Sequence, residues 1–156
     1  MTTTSELTVA TQGAATSQLA WLLVGDVADI LDDGIDAENL RWLLPVLESL
    51  LNLMNTEEQQ DGAAGYLDDV LELSPNSFEE VEGLHAVRNE LRADLHRIIG
   101  GIRQTIRPES SQPLQSFVAR SLSAQLMSWV DRMTTHHRAE RELSQSVWYL
   151  DLGVGD

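Results

Sequence analysis

The sequence predicts an all-α protein, a single-domain bundle of four main helices plus one short helix. Three observations carry that reading. The apolar residues are dominated by Leu, with fewer Ile and Val and only 5% aromatics; unbranched Leu loses little rotamer freedom in a helix, whereas β-branched side chains lose more. Apolar positions recur every three or four residues through most of the chain, and no stretch alternates convincingly with period two. A length of 156 residues with 42% hydrophobic content suits one domain whose core closes without disulfides.

Residues 1–16 are rich in Thr and Ala without an apolar period, and are expected to be a mobile leader to a bundle domain at 17–150. From Ser17, Leu19, Leu22, Leu23, Val27, Ile30 and Leu31 fall at helical spacing, and Asp32-Asp33-Gly34 ends the helix. Asp36 is placed to cap a second helix, whose main stripe is Leu40, Leu43, Leu44, Leu47, Leu50, Leu51 and Met54. Trp42, Val46 and Leu53 widen its apolar arc, which marks a helix that is central or shared with a second copy of the chain. Pro45 removes a backbone donor and predicts a kink or a junction of two shorter helices.

A polar connector is expected at 55–62, then a short helix at about 63–73 with Tyr66, Leu67, Val70 and Leu71 inward. Ser77 and Glu80 have capping-box spacing ahead of a fourth helix at 78–107, where Gly100-Gly101 implies a kink or a close helix approach. The last helix is expected at 113–149, carrying Val118, Leu122, Leu126, Trp129, Met133, Leu143 and Val147 in period, with a tail at 151–156.

Composition removes several functions. With no Cys there is no disulfide, thiolate zinc site, iron–sulfur cluster or cysteine nucleophile. The longest apolar runs fall far short of the ~20 residues of a membrane span, and the N-terminus lacks the pattern of a signal peptide, so a cytoplasmic protein with no membrane contact is expected. The formal net charge is −15, and all ten cations are Arg. Residues 1–82 hold 17 acids and one Arg; residues 83–156 hold 8 acids and nine Arg. Such acidity argues against direct nucleic-acid binding, which needs a basic surface.

Four features invite a functional reading. His136 and Glu140 lie one turn apart and, with His85, are candidate ligands for a divalent transition metal; Glu82 and His85 have the Glu-x-x-His spacing of di-iron bundles. There is no second Glu-x-x-His, and four His are too few for a hemerythrin-like centre, so the favoured reading has His136 and Glu140 pairing with each other or with Arg. A polar stripe on the fourth helix runs through His85, Asn89, Arg92, His96 and Arg103, with Arg88 and Arg107 nearby. Arg88, Arg92, His96 and Arg103 make it an anion or acidic-peptide site in one reading, and a solvated face or the partner of Asp26, Asp29 and Asp33 in the favoured one. The acidic run from Asp26 to Asp36 is no EF-hand loop: with Asp29 first, Leu31 and Leu40 occupy ligand positions three and twelve. Finally, Trp42, Trp148 and Tyr149 are aromatic anchors for an interface if they are exposed.

No phosphate-binding glycine loop, nucleophile elbow or His-Glu-x-x-His is present, so nothing positive supports an enzyme. The expected function is therefore a non-enzymatic protein-interaction module, an adaptor, assembly chaperone or inhibitor-type protein. It would engage a basic partner through Asp26, Asp29, Asp33, Trp42, Trp148 and Tyr149, with self-association through the second helix as an added possibility. The alternatives are a metal- or small-ligand-binding bundle and a DNA-mimic inhibitor.

Overall fold

Among the described residues of the computed structural model there are five α-helices, one 3-10 turn and no strand. The backbone is described for residues 4–34, 36–65, 67–107 and 112–153, and side chains for 18–34, 36, 38–59, 67–107 and 115–149. The helices are α1 (Thr4–Asp32), α2 (Ala37–Gly65), the short α3 (Asp68–Leu73), α4 (Phe78–Thr105) and α5 (Gln112–Gly153). At 1.5 Å per residue, α5 is about 60 Å long. No described helix is long and apolar enough to cross a membrane.

The tight turn after α1 fixes the topology. Gly34 adopts φ 88°, a conformation that costs glycine little, and its N–H bonds to the Leu31 carbonyl. Asp36 then caps α2 as the sequence implied, accepting the Asn39 N–H at 2.8 Å. The chain reverses, so α2 runs antiparallel to α1. Cross-pairs Glu48–Arg103 and Glu57–Arg88 make α4 antiparallel to α2. Leu122 beside Gly101, with Leu143 and Val147 beside Val81, makes α5 antiparallel to α4. The helices form a ring α1–α2–α4–α5, an up-down-up-down bundle.

One leucine-rich core fills that ring. It contains Val24, Val27, Leu40, Leu43, Leu47, Leu50, Leu91, Leu95, Ile99, Ile102, Leu126 and Trp129, largely the stripe positions read from the sequence. The fully buried Trp129 indole donates to the Leu91 carbonyl at 2.8 Å. A smaller cluster, Val70, Val81, Leu143 and Val147, fastens α3 to α5 and to the start of α4.

Several boundaries differ from expectation. Residues 4–16 continue α1; they contain three Ala and no Pro, so the helix propagates from the anchored part despite Gly13 and four Thr. The predicted connector at 55–62 is helical and belongs to α2. Its polar residues interrupt the apolar period because two of them, Glu57 and Glu58, pair with α4. The short helix begins at Asp68 rather than near 63, after Leu67 takes a left-handed φ of 54°; Tyr66 lies outside the described residues. Ser77 makes no capping bond, because its hydroxyl sits 3.0 Å from that of Ser74. Helix α2 runs through Pro45 as one helix, and α5 includes residues 151–153 of the predicted tail.

Candidate functional site

Four helices bring polar side chains together inside the bundle, where the leucine core gives way to charge. Glu57 of α2 is almost fully buried and accepts from the Arg88 guanidinium of α4. From α5, buried His136 meets Glu140 at 3.0 Å through Nε2. His137 stacks on Trp21 of α1, with ring centroids 4.0 Å apart and planes 13° from parallel. Trp21, Glu57, Arg88, His136, His137 and Glu140 surround a cavity of about 30 Å³, the scale of one water molecule.

Burial dominates the electrostatics of this cluster. It pulls the Arg88 guanidinium below its ordinary value, opposed by the Glu140 charge and assisted by Arg92. A guanidinium remains charged across the physiological range regardless. Burial likewise lowers His137 from its ordinary 6.5, opposed by Glu140 and assisted by Arg141 and His136. Glu57 Oε1 has no hydrogen-bond partner among the described residues, while its other oxygen takes Arg88. A buried carboxylate in that position depends on its single cation.

The metal candidates divide between two pairs. His136 and Glu140 meet, as the favoured reading anticipated, but His85 Nε2 sits 3.3 Å from Glu58 of α2. Among the described residues no group of three His, Asp or Glu side chains is arranged to hold a metal ion. Glu82 is exposed near the start of α4.

The α4 stripe is largely engaged from within. Arg88 takes Glu57, Arg92 lies 3.8 Å from Glu58, and Arg103 reaches Glu48 at 2.9 Å; His96 is exposed. The carboxylates that answer the stripe come from α2, and not from Asp26, Asp29 and Asp33. Those three Asp are exposed, and among the described residues no ion pair engages them.

The aromatic anchors are exposed but separated. Trp42 is 72% accessible in the second turn of α2, level with the last turns of α1 at the turn-bearing end of the bundle. Trp148 and Tyr149 are also exposed, near the far end of α5. Helical phase, about 100° per residue, puts Leu19, Leu23, Asp26 and Ile30 on the flank of α1 towards α2. Val46 and Leu53 flank α2 on the same side as Trp42. Leu19 and Leu22 are about half exposed, so this face is apolar at its seam and acidic at its edge.

Sequence reasoning missed Glu48, Glu57 and Glu58 as partners of the stripe, together with the Trp21–His137 stack. Only the antiparallel register of α2 and α4 brings residues 31 positions apart, such as Glu57 and Arg88, into contact. No protein-family model, curated protein or solved structure matches this chain.

Proposed function

We propose that the chain is a non-enzymatic interaction module, whose α1–α2 face receives a cationic segment of another protein. One observation carries this reading. Asp26, Asp29, Asp32 and Asp33 are exposed and have no ion-pair partner among the described residues, although the same bundle pairs Glu48, Glu57 and Glu58 of α2 with arginines. Asp32 and the residues just before it close α1, whose last turn has no basic residue. Negative charge is unfavourable there, because the helix dipole already points its negative end outward.

The neighbouring seam supplies the other half of an interface. Trp42 offers a large rigid surface with few torsions to freeze, and half-exposed Leu19 and Leu22 extend the apolar area. Carboxylates around such a patch steer a cationic partner and set its orientation, while the apolar seam holds it once docked. The partner expected is a protein segment bearing Arg or Lys beside apolar residues.

Cross-linked capture from the native cell extract, followed by binding kinetics on the purified partner, tests the proposal. Asp26→Asn/Asp29→Asn/Asp33→Asn is expected to slow association and flatten its salt dependence. Trp42→Ala is expected to speed dissociation by about tenfold or more. A captured partner whose association ignores the triple substitution and whose dissociation ignores Trp42→Ala would overturn it.

A further inference from the structure

A groove of about 330 Å³ runs along the outer seam of α1 and α5, lined by Trp21, Thr134, His137, Arg138, Arg141 and Gln145. A second hollow beside it shares His137, Arg141 and Gln145. Arg138 and Arg141 are exposed. Among the described residues neither enters an ion pair, as is also true of Arg41, Arg107 and Arg120, whereas Arg88, Arg92, Arg97, Arg103 and Arg132 do. Of the arginines outside ion pairs, only Arg138 and Arg141 line this groove. Glu142 lines the same groove, yet no ion pair joins it to either guanidinium. Residues three apart share a helix face, so Arg138 and Arg141 can reach one ligand together. One wall is aromatic: His137 and Trp21 stack on one another 4.0 Å apart and nearly parallel.

We propose that this groove binds a small molecule in which a phosphate or carboxylate is attached to a planar ring, the two guanidiniums holding the anion and the Trp21–His137 wall taking the ring. Arg presents a fork of donors matched to both anions. Aromatic side chains favour offset-stacked or edge-to-face packing of a further ring. The volume falls at the lower end of the range for small-molecule sites. Overall acidity does not cancel the site: charges more than about 8 Å away are screened at physiological ionic strength, and within the groove the two guanidiniums outnumber the one carboxylate, Glu142. The reading is independent of the α1–α2 face, which lies on another seam of the bundle.

Titration of the isotopically labelled full chain by NMR tests it, with phenyl phosphate and inorganic phosphate as probes at physiological salt. Phenyl phosphate is expected to saturate at about millimolar concentration or below, shifting Trp21 and His137 signals. Inorganic phosphate is expected to bind at least about tenfold more weakly. Arg138→Gln/Arg141→Gln should weaken phenyl phosphate by about tenfold or more with an unchanged circular dichroism spectrum, while Arg97→Gln and the triple Asp→Asn chain should bind as wild type. The proposal fails if Trp21 shows no saturable shift, if the double Arg variant binds equally well, or if inorganic phosphate binds as tightly as phenyl phosphate.

Discussion

Buried charge at single positions gives the sharpest expectations. The Glu57–Arg88 pair is enclosed by α1, α2, α4 and α5, and removing either member leaves the other buried without compensation. Arg88→Met should destabilise the fold by about 3–5 kcal/mol, because Glu57 and the nearby Glu140 lose their cation. Adding Glu57→Leu should restore much of that loss, since an apolar pair of similar volume is often as good as a buried ion pair. Chemical denaturation of the two singles and the double measures the coupling, and additive losses would show that the pair is not coupled. His137 gives a pH dependence of known sign. Its folded value lies below the ordinary 6.5, so the unfolded chain takes up the proton first. Stability is full above about pH 6.5 and declines as pH falls through the unfolded value towards the folded one. His137→Phe, which keeps a ring against Trp21, should flatten that decline; an unchanged profile would assign it to another group.

Between whole elements, the contact of α4 with α5 is read most directly at adjacent glycines. A Cβ built on Gly100 meets no atom within 4 Å, whereas one on Gly101 lies 3.0 Å from Leu122 Cδ2. Gly100→Ala should therefore stabilise by about 1 kcal/mol, the difference in helix propensity. Gly101→Ala should forfeit that gain by displacing Leu122. Thermal denaturation separates the two, and equal gains would show that the helices yield there freely. The same pair illustrates what was legible in advance. Gly100-Gly101 in a helical period announces either a kink or a close approach, and the structure shows the approach at Gly101. Leucine spacing likewise identified each main helix and most of the core, because burial acts on every turn of an amphipathic segment. It misplaced the end of α2, because Glu57 and Glu58 look like a connector until α4 supplies Arg88 and Arg92. A charge buried against a distant cation leaves no periodic trace.

Across the whole molecule, charge is sorted rather than spread. Glu48, Glu57 and Glu58 of α2 are balanced by α4, Asp94 is shared by Arg97 and Arg132, and the exposed acids of α1 have no counterpart among the described residues. Such a surface works against the fold that carries it, through mutual repulsion and through the dipole at the end of α1. Two consequences follow for the free protein. Its melting temperature should rise with added salt, because screening weakens repulsion between exposed charges more than it weakens the buried Glu57–Arg88 pair. Asp26→Asn/Asp29→Asn/Asp33→Asn should raise the low-salt stability by about 1 kcal/mol, equivalent to roughly 2–4 °C for a domain of this size, and reduce the salt effect. If the triple substitution lowers the melting temperature, these carboxylates serve the fold itself. A gain in stability accompanied by slower partner association is the pattern expected when a surface is kept for binding at some cost to folding.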